Sequence, residues 1–136
     1  MAKEFIWPVR VYYEDTDHGG VVFYANYLKF MERARTEWLR DLGFEQDRLM
    51  DEEGLVFAVR SVELKYHRPA HFNDLLDVTA RVTHYGRASI DFEQRVCRGD
   101  ELLCEGTVRL ASLDAATFRP KPANQLLIER LDEEGR

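Results

Sequence analysis

Residues 12–27, YYEDTDHGGVVFYANY, set an acidic turn against the beginning of a helix. Asp15, Thr16 and Asp17 follow a short apolar and aromatic run, and Gly19-Gly20 then lead into helical periodicity. A turn of this kind puts a carboxylate beside backbone N–H groups that have no partner within the helix. The carboxylate can act as base or nucleophile, and free N–H donors at a helix start can hold a developing oxyanion. No other part of the chain offers both halves of a reaction so close together.

Working outward, residues 9–14 predict a strand before the turn. From about Tyr24 to Leu42 the spacing of Tyr27, Phe30, Met31, Ala34, Trp38 and Leu42 predicts an amphipathic helix. Gly43 stands where such a helix would end in a left-handed cap. Beyond residue 55 the period becomes two. Val62, Leu64 and Tyr66, then Leu76, Val78, Ala80 and Val82, then Ile90, Phe92, Gln94 and Val96 alternate with polar neighbours. Gly86-Arg87 and Gly99-Asp100 read as hairpin turns between these runs. Residues 102–113 predict a last long strand and residues 124–131 a short terminal helix. The expected architecture is α+β, a single domain over 1–136, with one long helix covering one face of an antiparallel sheet of about five strands. The other face and the sheet edges then need cover, which favours a homo-oligomer.

The composition excludes several classes. With 136 residues, 45% hydrophobic and 32% charged, the chain is long enough for an ordinary core and not biased towards disorder. A net charge of −6 argues against a general nucleic-acid binder, although local Arg and Lys can still hold an anionic ligand. The first residues, MAKEFIWPVR, lack the apolar run of a secretion signal, and no stretch approaches the roughly 18 apolar residues of a membrane span. Cys97 and Cys104 are too few for a disulfide scaffold and lack metal-site spacing. These features predict a cytoplasmic protein.

The pattern Arg10-Val11, Thr16-Asp17, Gly20-Val21-Val22 and Tyr27 resembles the hotdog-fold acyl-CoA thioesterases of the 4-hydroxybenzoyl-CoA thioesterase type. The wording around it, residues 7–17 and 32–37, is most similar to the YbgC subfamily, which is associated with the bacterial Tol–Pal system. The resemblance implies a long helix wrapped by an antiparallel sheet, homodimers that often form homotetramers, and active sites at the dimer interface. It places the catalytic aspartate on Asp17. It places the N–H that polarises the thioester carbonyl at the helix start, around Tyr24, with Gly20 and Val21 shaping the approach. The chain departs from the subfamily at Tyr24, where most members carry His; if the main-chain N–H is what counts there, the swap leaves the mechanism intact.

Each candidate has a plainer reading beside it. Asp17 either deprotonates water or attacks the carbonyl directly, or it merely closes an Asx turn. Asp15 reads as a turn residue that would raise the proton affinity of Asp17 if both faced one pocket. The same pair at DxD spacing would suit Mg²⁺, but no further carboxylates accompany it. His18 either approaches the substrate or is an exposed turn histidine. His67 and His71 bracket Pro69, which opposes the helix that a zinc pair at this spacing would need. Arg87 and Ser89, after Gly86, fall where the resemblance places the CoA nucleotide; Lys65, His67 and Arg68 are other phosphate candidates. Tyr27 and Trp38 read as core.

The expected activity is hydrolysis of an acyl-CoA thioester to a carboxylic acid and free CoA, with no metal and no cofactor beyond the CoA of the substrate. Acyl carrier protein is the other carrier to consider. Two rivals remain at this point. One is a hotdog dehydratase, although Glu32 and Glu37 lack a convincing His partner. The other is a non-catalytic module that binds acyl-CoA or acyl carrier protein in peripheral association with the inner membrane.

Overall fold

The computed structural model describes residues 4–134. The apolar stripe that begins at Tyr27 folds as α1, Asn26–Asp41, and buries Tyr27, Phe30, Met31, Ala34, Trp38 and Leu39. It lies against β1 (Phe5–Arg10), β3 (Leu75–Tyr85) and β4 (Ser89–Arg98). With β5 (Glu101–Asp114) and β2 (Leu55–Tyr66) these strands form one antiparallel sheet in the order β1-β3-β4-β5-β2. A long helix wrapped by five antiparallel strands is the architecture expected above. Among the described residues no helix is long and apolar enough to cross a membrane.

The period-two pattern becomes two faces. On β4, Ile90, Phe92, Gln94 and Val96 are buried towards α1. The intervening residues form ion pairs on the outer face, with Arg81 to Glu93 at 2.6 Å and Arg109 to Asp91 at 2.7 Å. Exposed pairs of this kind add little stability but keep the face wet.

The core divides into two clusters. One, under the acidic turn, joins Val9, Val11, Val22, Tyr27, Phe30 and Met31 to Leu76, Val78 and Leu103. The other joins Trp38, Leu39 and Leu42 to Ile90, Phe92 and Val108. The terminal helix α3, Gln125–Glu134, closes the second cluster with Leu127 and Leu131, and Asn124 caps it by accepting the Leu127 N–H at 2.8 Å.

Four details differ from the sequence reading. The first strand lies at Phe5–Arg10 rather than residues 9–14, and Tyr13–Asp15 form a 3₁₀ turn. Pro8 is accommodated because β1 is an edge strand, whose outer side owes no ladder hydrogen bond. The helix starts at Asn26, two residues after Tyr24. A short helix, α2 (Gln46–Glu53), was not expected; it ends at Gly54 in the left-handed conformation, φ 63°. Finally, Val62 and Tyr66 keep the helix-facing register of β2, opposite Val108 and Cys104, yet are 43% and 48% exposed. β2 is the other edge, and α1 reaches it only in part, with Tyr27 and Tyr66 ring centroids 5.5 Å apart, so the alternation is present and much of its cover is not.

Candidate active site

The acidic turn is closed by its own backbone. Thr16 and Val22 pair as a short antiparallel bridge. The Asp17 N–H donates to the Val21 carbonyl at 2.8 Å, and the Gly20 N–H returns to the Asp17 carbonyl at 3.1 Å. Gly20 sits at φ 82°, a left-handed conformation that any side chain would strain. The loop is then fastened to the segment before β3. Val21 bridges His71, and the Val22 N–H donates to the Ala70 carbonyl at 2.8 Å. Ala70 is held in turn, its N–H donating to the Tyr27 hydroxyl at 3.0 Å.

Asp17 is exposed, and its Oδ1 accepts the Gly19 N–H at 2.8 Å. The Asx turn therefore exists, but it occupies one carboxylate oxygen. Among the described residues Oδ2 has no hydrogen-bond partner. Asp15 is the opposite case. It is 5% exposed, its Oδ1 accepts from Asn26 Nδ2 at 2.7 Å and its Oδ2 from the Tyr12 N–H at 2.8 Å. Its carbonyl also accepts the Phe23 N–H at 3.0 Å. Asp15 thus ties the end of the first-strand segment to the first residue of α1, and its carboxylate is spent on structure.

Tyr24 and Ala25 form a turn just ahead of α1. Among the described residues neither N–H has an acceptor, whereas the Asn26 N–H donates to the Phe23 carbonyl at 2.8 Å. The Tyr24 carbonyl is fixed from the far side by the Tyr66 hydroxyl at 2.9 Å. The Tyr24 ring is exposed and tilted against Phe23.

Beside this turn runs a groove of about 270 Å³ lined by Val22, Tyr24, Tyr27, Tyr66, His67 and Arg68. Burial raises the pKa of both Tyr27 and Tyr66 above the ordinary phenol value, so both stay protonated at neutral pH. His67 Nε2 lies 2.7 Å from Glu105, and Arg68 pairs with Glu101 at 2.9 Å. Glu101 also accepts from Arg98, which reaches Asp74 at 2.7 Å. Burial alone would raise the Asp74 pKa, but the His71 N–H and the Arg98 guanidinium outweigh it and hold the carboxyl below its ordinary value. This chain of pairs braces the 67–74 segment on which the loop leans.

The structure closes Asp17, Gly20 and Val21 into one loop, with His18 exposed on it, and puts Tyr24 on the groove with His67 and Arg68; the groove lining itself does not include Asp17. Arg87 and Ser89 are elsewhere. They follow β3, whose eleven-residue run from Leu75 to Tyr85 spans roughly 33 Å away from the loop end. Within one protomer they are at the opposite end of the sheet. Sequence reasoning missed the Tyr66 hydroxyl, Asn26 and the Arg98–Asp74 pair. Asn26, a polar residue on an apolar stripe, was the available signal; the other two required the fold.

A long helix wrapped by five antiparallel strands, with an exposed carboxylate and free N–H groups just ahead of the helix, is an arrangement able to hydrolyse a thioester. A family model described as the thioesterase superfamily matches residues 19–105. The acyl-CoA thioesterase YbgC of Haemophilus influenzae is 47% identical over 120 residues, 88% of each chain. The acyl-CoA thioester hydrolase YbgC of Escherichia coli O157:H7 is 43% identical over 118 residues, 86% of this chain and 87% of that one. A solved structure described as a probable thioesterase from Bartonella henselae superposes with TM-score 0.86 at 34% identity, covering 90% of this chain and all, 100%, of the other. A 1,4-dihydroxy-2-naphthoyl-CoA thioesterase from Synechocystis shares the fold with TM-score 0.89 at 18% identity, covering 98% and 99%. The chain belongs to the thioesterase superfamily and, within it, to the YbgC family of acyl-CoA thioesterases, which makes it an enzyme of thioester hydrolysis.

Proposed function

We propose that this enzyme hydrolyses an acyl-CoA thioester to a carboxylic acid and free CoA, with Asp17 as the catalytic carboxylate. The observation that supports this reading most is the free Oδ2 of an exposed Asp17 on a loop fastened next to two unused N–H groups. As a base, Asp17 takes a proton from water as the oxygen attacks the thioester carbonyl; the C–S bond then breaks and the proton passes to the departing thiolate. As a nucleophile it forms a mixed anhydride with release of the thiol, and water then cleaves the anhydride. In either course charge builds on the carbonyl oxygen, and this reading assigns it to the Tyr24 N–H, with that of Ala25 beside it, both of which have no acceptor among the described residues. The main chain supplies this donor, so Tyr at position 24 serves as well as His.

The acyl group enters beside Tyr24, along the groove walled by Tyr27 and Tyr66. Gly20 and Val21 keep the approach open, and His18, His67 and Arg68 face the incoming carrier. The exposed edge of β2, with Val59 and Val62 uncovered, supports a homodimer joined along that strand, and pairs of dimers would give a homotetramer. A second protomer would be needed to bring Arg87 and Ser89 to a nucleotide. Cys97 and Cys104 are free thiols, in keeping with a reducing compartment such as the cytoplasm. Thiol release from a panel of acyl-CoA and acyl-carrier-protein thioesters tests the proposal. Turnover that vanishes in Asp17→Asn while the oligomer stays folded is expected; equal turnover in the variant, or none on any thioester, overturns it.

A further inference from the structure

The two free N–H groups ahead of α1 belong to peptide units that are held in different ways. The Tyr24 N–H shares its peptide with the Phe23 carbonyl, which accepts the Asn26 N–H at 2.8 Å, a bond within the turn's own main chain. The Ala25 N–H shares its peptide with the Tyr24 carbonyl. Among the described residues that carbonyl has one donor, the Tyr66 hydroxyl at 2.9 Å, and no main-chain group holds it. A trans peptide is planar, with its N–H and C=O pointing opposite ways. A bond that fixes the carbonyl therefore also aims the Ala25 N–H, on the side away from the phenol.

The phenol is itself placed by ordered parts. Tyr66 is the last residue of β2, in register with Cys104 of β5. Its ring meets the buried Tyr27 ring edge to face, centroids 5.5 Å apart, and the Tyr27 hydroxyl accepts the Ala70 N–H at 3.0 Å. Burial keeps the Tyr66 phenol protonated at neutral pH, as a donor must be. A hydrogen bond accepted by a carbonyl draws charge through the amide and strengthens the N–H of the same unit, by about 10–30% per bond. A packing role alone would be met by Phe. We propose that Tyr66 is a positioning residue for the hydrolysis, acting through the Tyr24–Ala25 peptide to aim and strengthen the Ala25 N–H as an oxyanion donor. The inference rests on the thioesterase reading above and gives one of its two donors a side-chain control from β2. The phenol acts on the substrate oxygen only through the peptide. Its loss is felt mainly when negative charge has built up, in kcat rather than in KM.

Two measurements test the proposal, one of them without turnover. In amide NMR spectra of the ¹⁵N-labelled protein, the Ala25 nitrogen is expected to shift upfield in Tyr66→Phe, while the Tyr24 nitrogen, whose peptide is held by Asn26, moves less. In thiol-release kinetics Tyr66→Phe should lose roughly two- to tenfold in kcat, with KM little changed. Ring-fluorinated tyrosines at position 66 keep the shape and the hydroxyl but make the phenol more acidic. At a pH where each stays protonated, kcat should rise in step with that acidity, a trend that a packing role does not give. This series carries the test if the Phe variant fails to fold. An Ala25 amide unmoved by Tyr66→Phe, a kcat equal to the parent's, a loss confined to KM or a flat fluorotyrosine series overturns the proposal. A parent protein inactive on every thioester overturns the thioesterase reading instead, and the amide shift still decides whether Tyr66 acts on the Ala25 peptide.

Discussion

The two halves of α1 satisfy their polar groups in opposite ways. At its start three polar groups are tied, Asn26 to Asp15, the Tyr27 hydroxyl to Ala70 and the Tyr24 carbonyl to Tyr66, while among the described residues the Tyr24 and Ala25 N–H groups stay free. In its middle the main chain is fully helical and a side-chain charge stays free instead, Arg35 against a single amide. The Gln94 layer separates the two core clusters at this point. A neutral donor that is rigidly held suits charge that appears only during reaction, because it costs little when the site is empty. The comparison thus separates free main-chain donors just ahead of the helix from a buried side-chain charge in its middle.

The comparison can be broken most directly at Asp17. Replacing it with Asn keeps an acceptor for the Gly19 N–H and removes the base, so thiol release should fall about 10²–10⁴-fold with the melting temperature unchanged. Parallel loss of stability would show that Asp17 is only a turn residue. Asp15→Ala tests the tied half. It strands the Asn26 amide and the Tyr12 N–H, and should cost about 1–3 kcal/mol by denaturant titration, with activity falling alongside. Activity lost without any stability change would instead give Asp15 a direct part in the reaction.

Tyr66→Phe sharpens the picture, since Tyr66 is half exposed and its hydroxyl holds the carbonyl of the residue that offers the N–H. Turnover should drop about severalfold with little change in melting temperature, the scale of one hydrogen bond of roughly 0.5–1.5 kcal/mol. The smallest effect concerns acid. The Asp74 pKa is depressed from its ordinary 3.8, so its contribution is present above that value and is lost as the pH falls through the lower, folded-state value. Stability measured from pH 5 downward should fall less steeply in Arg98→Met, where the depression is relieved, than in the parent protein.

Much of the fold was legible because its periods are long and clean. Residues 27–42 carry more than four helical turns of stripe, and β4 alternates without a break. What was not legible was local. Ala25 has helical dihedrals, φ −73° and ψ −17°, so no pattern could place the true start one residue later. α2 buries Leu49 alone, leaving too little stripe to read; only Gly54 marked its end. At the site, Asp17 and the Gly20 turn were readable from residue types, because a carboxylate and a left-handed glycine have few plain explanations together. The groove was not, since it joins residues 22–27 to 66–69 through the sheet order. Arg35 was missed for a simpler reason: a helical wheel sets it beside Met31, Trp38 and Leu39, but within the charged run of Glu32, Arg33 and Glu37 it reads as surface, and its bond to Gln94 on β4 shows that it points inward.

That sheet order also has a consequence for synthesis. β1 leaves the ribosome first but pairs only with β3, about seventy residues later, with Phe5 opposite Ala80 and Arg10 opposite Leu75. The loop bearing Asp17 waits likewise for Ala70 and His71. Closing such wide loops is slow, since chain entropy is spent before the contacts form. Until β3 emerges, the nascent chain therefore carries α1 with its apolar stripe bare and the Asp17 turn without a floor. The enzyme becomes competent only when its second half has been made, and the bare helix is the stretch that a chaperone would meet first.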